Sequence, residues 1–155
     1  MVRSDNRKGE AFALLRFELD DLEGRSISYA WLVMVSVLTT NDQPLLVRIG
    51  AANSPWDTTI TYETAHGVII DESGPTMLYR FEPGQKSAKI DVTDLVRYLA
   101  RADVDNNGLM LDPRGAGKQG NVAYQFASQE WVEGPEPGPQ LVVEFADYGA
   151  ADRRE

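Results

Sequence analysis

Cysteine is absent from the sequence and histidine occurs once, at His66, so several kinds of chemistry have no residues to carry them. Without cysteine there is no disulfide framework, no thiolate zinc site and no cysteine nucleophile. A serine triad would depend on His66 alone, and the chain has no G-x-S-x-G elbow to present a serine. Carboxylate pairs are common in so acidic a chain, and most of them are expected to be solvated. We therefore predict that the protein is not an enzyme and has no catalytic residues.

Basic residues and long apolar runs are also scarce. The chain has 15 lysines and arginines against 24 aspartates and glutamates, which gives a formal net charge of −9. Nucleic acids and anionic membranes are bound through clustered positive charge, so we expect neither as a partner. No stretch reaches the ~18 apolar residues of a membrane helix, and the N-terminal stretch MVRSDNRKGE has no apolar core of a secretory signal. We therefore expect no signal peptide in this chain.

Short strand-like segments separated by turn residues fill most of the chain. The longest, Ser26 to Thr39, is apolar on both alternations, which indicates a central strand covered on both faces with Trp31 in the core. Turns containing proline, glycine and asparagine separate the other segments. Strands are also predicted at Leu14–Leu19, Leu45–Gly50, Thr59–Glu63, Gly67–Ile70, Thr76–Phe81, Ser87–Val92, Gly108–Asp112, Val122–Ser128 and Gln140–Phe145.

One segment, DVTDLVRYLARAD from Asp91, predicts a helix. Thr93 is placed to cap its N-terminus, and three apolar residues that follow share one face over roughly three turns. Many short strands with one helix predict an all-β fold, a two-sheet antiparallel β-sandwich of jelly-roll-like topology with one short helix. We expect an N-terminal arm over residues 1–13, a single sandwich domain over 14–147 and a flexible tail over 148–155.

Five motifs in order carry a resemblance to a known family. They are LLRFELDDLEGRSISYAWLVM, SPWDTTITYE, AKIDVTDLVRYL leading into NNGLML, FASQE, and PQLVVEF, and they span about Leu14 to Phe145. Their order resembles the DNRLRE domain, the disaggregatase-related domain that is also grouped with certain carbohydrate-binding modules. The resemblance implies a jelly-roll-like β-sandwich that serves as a non-catalytic module in extracellular, cell-surface or phage structural proteins. Some members of the family bind polysaccharides.

The resemblance also assigns positions to particular residues. Trp56 and Tyr62 occupy the tryptophan-to-strand motif, Thr93 the strand-to-helix junction, and Ser128 and Glu130 the pair before the last strands. Trp56 belongs to an element that recurs in the family regardless of ligand. We therefore expect Trp56 to be a structural plug that packs its loop across the end of the sandwich.

Sugar binding requires aromatic faces and hydrogen-bonding groups on a concave surface or a loop rim. Trp131 lies in the turn-rich stretch SQEWVEGPEPGP, where a large ring is expected to be partly exposed. We name it as the first ligand-binding candidate. Glu130, Ser128 and Tyr79 are the other candidates.

The sequence departs from the family at its start. Family members begin with an additional strand before the LLRF strand, whereas about a dozen polar residues precede it here. A sandwich without its first strand exposes backbone groups that another chain can cover. We therefore expect other protein subunits as partners, in an oligomer or attached to a larger assembly.

The stretch from Asp103 to Arg114 partly matches a calcium loop. Asp103, Asp105, Asn107 and Gly108 occupy its first, third, fifth and sixth positions, but its twelfth position holds Arg114 in place of the bidentate glutamate. An acidic turn is the simpler interpretation. We predict no cofactor and no metal, and calcium is the alternative.

Two functions follow from these observations. The first is a structural or interaction module on a virion surface, in a capsid decoration or a tail, because no secretion signal precedes the domain, the family's first strand is missing and no catalytic domain is attached. The alternative is a carbohydrate-binding module that recognises polysaccharide through loop aromatics. Either function places the protein on a virion or at the cell exterior.

Overall fold

A computed structural model describes residues 2–4, 12–39, 43–57, 67–113, 122–126 and 138–146. These residues form nine strands, one short 3-10 helix at Asp20–Leu22 and one α-helix, and none of the helices among them is long and apolar enough to cross a membrane. The elements are β1 (Val2–Ser4), β2 (Ala13–Leu15), β3 (Ile27–Thr39), β4 (Leu45–Ala51), β5 (Met77–Phe81), β6 (Ser87–Asp91), α1 (Thr93–Leu99), β7 (Leu109–Asp112), β8 (Val122–Phe126) and β9 (Gln140–Phe145).

The strands form two antiparallel sheets in jelly-roll order. One sheet runs β1-β8-β3-β6 and the other runs β2-β7-β4-β5. The pairs β1 with β8, β2 with β7, β3 with β6 and β4 with β5 are those of one long hairpin wound into a double sheet. β9 adds a fifth strand to the first sheet and pairs with the first half of β3. The predicted all-β sandwich with one short helix is confirmed.

The main core lies between the two sheets. The inward side chains come from alternate positions of the strands, as the period of a strand requires. Helix α1 closes one side of this core with three buried apolar residues. The largest fully buried side chains of this core are Phe81, Leu32, Leu45, Ile49, Ile90, Leu111, Val47, Val92 and Val96.

The central strand β3 is covered on one face, which corrects the expectation that both faces are buried. Ala30, Leu32 and Met34 are at most 2% exposed and belong to the main core. Trp31 and Tyr29 belong to the other alternation, and Tyr29 is 52% exposed. The expectation that Trp31 lies in the core is therefore wrong, because the smaller residues of β3 face the opposite sheet.

The first strand of the sandwich is present. Val2–Ser4 forms β1 and pairs antiparallel with β8, so the expectation of a missing first strand is wrong. Ala13, placed in the N-terminal arm by the sequence, is the first residue of β2 and pairs with Leu111. A polar strand of three residues carries too little alternation to be recognised in a sequence.

Helix α1 is shorter than predicted and is capped differently. It spans Thr93–Leu99, and Val92 is its N-cap residue with no side-chain capping bond. The Thr93 hydroxyl instead donates to the Asp91 carboxylate and accepts from the Ala30 amide at 3.0 Å, which ties the helix to β3. The Asp91 carboxylate also accepts from the Thr93 amide at 3.0 Å, so the first amide of the helix is satisfied by the residue before the N-cap.

A second, smaller core covers the outer face of the four-stranded sheet. Met110 of β7 points away from the main core and packs with Ala52, Val68 and Ile70. Trp56 packs against this group, which we call the outer cluster, together with Phe12 and Leu14. An isolated antiparallel β-bridge pairs Ala52 with Ile70, so the two segments that supply this group are joined to each other.

Candidate functional site

The outer face of the five-stranded sheet carries two aromatic rings near the start of β3. Tyr29 and Trp31 are two residues apart on one strand, so their side chains leave the same face. Their ring centroids are 6.1 Å apart and their planes differ by 14°. Tyr29 is more than half exposed and Trp31 is partly buried. We call this pair the aromatic pair.

Side chains of the two neighbouring strands border the aromatic pair. On β9, Glu144 is the register partner of Tyr29 and Val142 is that of Trp31. On β6, Asp91 is the partner of Trp31, and the ammonium of Lys89 lies 4.4 Å from the centre of the Trp31 ring. Directly opposite residues on one sheet face are close enough to act together on a ligand. The pair is therefore flanked by a carboxylate on each side and by one ammonium.

A groove of about 710 Å³ opens beside Tyr29, between the two sheets. Pro75, Thr76 and Met77, at the start of β5, form one wall, and α1 begins on the other side. Polar side chains from Ser28, Asp91, Asp94 and Arg97 also line it. A volume of this size is that of a typical small-ligand site, and Tyr29 belongs to both the groove and the aromatic pair.

Hydrogen bonds hold the Asp91 carboxylate in the groove. The bonds that Thr93 donates, from its hydroxyl first and from its amide second, lower the pKa of Asp91 below its ordinary value. Asp91 is therefore an ionised hydrogen-bond acceptor at neutral pH. The Arg97 guanidinium is already used within the fold, since it donates to the Ile27 carbonyl and lies 3.5 Å from Asp94.

Tyr79, a ligand candidate from the sequence, lies inside the sandwich. It packs against the main core, edge to face with Phe81 at a ring distance of 4.9 Å. Its hydroxyl accepts a 2.8 Å hydrogen bond from the Gln85 side chain. The ring of Tyr79 therefore packs inside the sandwich with its hydroxyl hydrogen-bonded, and it does not lie on the outer face that carries the aromatic pair.

Trp56 is partly buried, and its indole is held by packing and by a hydrogen bond. Its indole packs on the outer cluster, and its Nε1 donates a 2.6 Å hydrogen bond to the Asn107 carbonyl. This location is the outer face of the four-stranded sheet, whereas the sequence suggested the end of the sandwich. The remaining candidates, Trp131, Glu130, Ser128 and Tyr62, lie outside the described residues.

The calcium-like stretch is a hydrogen-bonded turn where the structure describes it. Both carboxylate oxygens of Asp103 are engaged by Arg101, at 2.7 and 3.0 Å. Asn106 donates to the Phe17 carbonyl at 2.7 Å and accepts from the Gly108 amide at 3.1 Å. Among the described residues, no group of three or more acidic or histidine side chains is placed to hold a metal.

The aromatic pair and its groove were missed in the sequence because both alternations of β3 are apolar. Tyr29, Trp31 and Val33 look as suitable for a core as Ala30, Leu32 and Met34 do. One signal could have found the site, namely that the bulkier, amphipathic aromatic residues stood together on one alternation while smaller residues stood on the other. The flanking residues Glu144 and Lys89 come from strands that only the folded chain brings alongside.

The fold defines the protein as a jelly-roll β-sandwich with one partly open sheet face. Comparisons of the chain with protein-family models, with curated proteins and with solved structures each find no match. The resemblance to the DNRLRE domain therefore stays a prediction, and the chemistry of the site has to be argued from its own residues.

Proposed function

We propose that this protein is a non-enzymatic recognition module that binds polysaccharide on the outer face of its five-stranded sheet. The observation that carries the proposal is the aromatic pair, whose nearly parallel rings lie on the outer face of the sheet beside a groove, with Tyr29 more than half exposed. Aromatic rings pack against the C–H face of sugar rings, and surrounding polar groups fix the orientation of the sugar. Tyr29 supplies the more exposed ring of the two.

The polar residues around the pair suit a sugar that donates hydrogen bonds. Glu144 and Asp91 flank the rings, and Asp94 follows in the groove. Carboxylates accept hydrogen bonds from hydroxyl or amine groups, and they repel the carboxylates of polyuronates. Lys89 brings the one ammonium described beside the pair, and this ammonium lies over the Trp31 ring. We therefore expect neutral or amine-bearing polysaccharides to bind better than polyuronates.

Attachment to other protein subunits, on a virion surface, is the second candidate function. The aliphatic residue Val142 is 46% exposed beside the aromatic pair, and a subunit contact would bury both. Tyrosine and tryptophan are also enriched at the centres of protein interfaces. The sequence favoured this candidate partly because the first strand of the family was thought to be missing. Since β1 is present and pairs with β8, that argument no longer applies. Membership of the DNRLRE domain family and a location on a virion or at the cell exterior remain proposals with either function.

Affinity electrophoresis tests the first candidate. The parent protein is run through native gels containing barley β-glucan, xylan, galactomannan, chitosan or polygalacturonate. We expect retardation by at least one of the first four, lost in Tyr29→Ala. Leu78→Ala is the matched control, because Leu78 is 57% exposed on the other sheet and its truncation should leave retardation unchanged. Trp131→Ala tests the ligand candidate that the sequence names.

Light scattering separates the two functions. A monomer that is retarded by a gel and loses retardation in Tyr29→Ala supports polysaccharide binding. An unretarded parent that forms an oligomer, dissociated by Tyr29→Ala and not by Leu78→Ala, supports subunit attachment. Retardation that survives in Tyr29→Ala and is lost in Trp131→Ala would contradict the proposed site.

A further inference from the structure

The start of β3 contains a β-bulge directly before the aromatic pair. Ile27 pairs with Phe145 of β9 and Tyr29 pairs with Glu144, so two steps along β3 match one step along β9. Ser28 is the extra residue. Bulges of this kind bend a strand and re-aim the side chains beside them.

The bulge decides which way Tyr29 points. In a regular strand residues i and i+2 leave the same face, so Ile27 and Tyr29 would share a face. Here Ile27 is 6% exposed within the main core, whereas Tyr29 is 52% exposed on the outer face. A return to regular pairing would move either Ile27 out of the core or Tyr29 into it.

Arg97 of α1 holds the bulged backbone. Its Nε and Nη2 donate to the Ile27 carbonyl at 2.9 and 2.6 Å, and Nη2 also reaches the Ser28 carbonyl at 3.4 Å. A planar guanidinium can satisfy adjacent carbonyls in this way, whereas an ammonium has no such fork. The helix itself is anchored by its buried residues Leu95, Val96 and Leu99. The contact therefore joins the start of β3 to a fixed element.

We propose that Arg97 is a positioning residue that keeps Tyr29 on the ligand-binding face by fixing the bulge at Ser28. The expected effect of Arg97 on binding rests on the proposed function. Its expected effect on β3 rests on the bulge geometry alone. Arg97 also lines both the groove beside Tyr29 and a neighbouring cleft of about 410 Å³ under the 22–27 turn, so its side chain lies where the helix meets the bulged strand.

The test uses Arg97→Met, which keeps an unbranched stem and removes the donors, and Arg97→Lys, which keeps the charge. The control is Arg101→Met, because Arg101 is an exposed arginine four residues further along the chain whose guanidinium pairs with the Asp103 carboxylate instead of a β3 carbonyl. Hydrogen exchange by mass spectrometry follows the amides of residues 27–31. Native gels containing β-glucan, xylan, galactomannan or chitosan follow binding, and circular dichroism confirms that each variant is folded.

We expect faster exchange at residues 27–31 in Arg97→Met and retardation reduced to that of Tyr29→Ala, with Arg97→Lys between Arg97→Met and the parent. The apparent affinity should fall about tenfold, as for the loss of a well-placed ligand contact. The double variant Arg97→Met with Tyr29→Ala should bind no more weakly than Tyr29→Ala alone, because both changes act through one ring. Arg101→Met should behave as the parent.

Unchanged exchange at residues 27–31 in Arg97→Met would overturn the proposed role in the bulge. Faster exchange with parent-like retardation would show that the bulge does not control binding, which also overturns the inference and leaves the proposed function standing. If no gel retards the parent, the proposed function fails and the binding half of the inference fails with it, while the exchange result still decides whether Arg97 fixes β3. If Arg97→Met does not fold, exchange at residues 27–31 and gel retardation are compared between Arg97→Lys and the parent instead.

Discussion

The indole Nε1 of Trp56 donates a 2.6 Å hydrogen bond to the main-chain carbonyl of Asn107, which lies 51 residues further along the chain. The same ring packs on the outer cluster. This contact fixes the segment after β4 against the turn that leads into β7. Trp56 therefore acts within the fold, and its two contributions, packing and hydrogen bonding, can be measured separately.

Truncation of Trp56 should destabilise the protein. We expect Trp56→Ala to lower the free energy of unfolding by about 3 kcal/mol, the lower end for a buried tryptophan, because the ring is only partly buried. Trp56→Phe keeps most of the packing and leaves the Asn107 carbonyl without its donor, so it should cost about 1 kcal/mol. Urea unfolding measures both. A Trp56→Ala variant that unfolds at the parent's urea concentration would exclude the structural role.

Two glycines with similar backbone angles should tolerate alanine differently. Gly24 has a φ of 77° with open space around its missing side chain. Gly108 has a φ of 89°, and a Cβ added there would clash with the Leu15 carbonyl oxygen. Gly24→Ala should cost about 1 kcal/mol, the strain of a left-handed residue alone. Gly108→Ala should cost at least about 2 kcal/mol more because β2 must also move. Thermal unfolding measures both free-energy costs. Equal costs for Gly24→Ala and Gly108→Ala would contradict the close approach of the Leu15 carbonyl oxygen to Gly108.

The sequence was sufficient to predict the sandwich, because patterns of local alternation carry that information. β3 was predicted at Ser26 to Thr39 and spans Ile27–Thr39, and β9 was predicted with its observed bounds. The same patterns failed at Leu14–Leu19, where an apolar alternation continues but only the first two residues belong to β2. Pairing with β7 ends at Leu15, so the following residues have no ladder to join.

The candidate site could not be predicted, because it depends on contacts between residues far apart in the chain. Arg97 and the Ile27 carbonyl are 70 residues apart, and no local pattern indicates that a helix will stabilise a bulge at Ser28. The choice of inner face on β3 is equally non-local. Ala30 and Leu32 pack in the main core against the opposing sheet, whereas Tyr29 and Trp31 lie on the outer face.

The Asp91 carboxylate should make stability depend on pH in the acid range. Hydrogen bonds from Thr93 lower the pKa of Asp91 below its ordinary value of 3.8, so the folded state holds the ionised form more strongly than the unfolded state does. The stabilisation is therefore complete above about pH 5, begins to fall near the ordinary pKa of 3.8 and is lost as the pH falls through the lowered pKa of the folded protein. Asp91→Asn should cost about 1 kcal/mol at pH 7, a small value because the residue is exposed to solvent.

The pH dependence is measured by urea unfolding between pH 7 and the acid limit of the folded protein. The difference between the parent and Asp91→Asn should shrink below pH 3.8 and stay constant above about pH 5. Asp94→Asn is the control, because Asp94 is more than four-fifths exposed and no hydroxyl or amide donor to it is found in the described part of the chain. A difference that persists unchanged into acid would show that Asp91 contributes no charge-dependent stability.

Adjacent residues on β3 should differ sharply in their contribution to stability. Leu32 is fully buried, so Leu32→Ala should cost about 2–5 kcal/mol through lost packing and the cavity that remains. Trp31 has a larger side chain but is not part of the main core, and on the outer face it contacts the Tyr29 ring and the Lys89 ammonium. Trp31→Ala should therefore cost about 1 kcal/mol, the scale of one aromatic pair or one partly exposed cation–π contact. Urea unfolding of the two variants in parallel decides the orientation of β3, because an inward Trp31 would make Trp31→Ala the more damaging change.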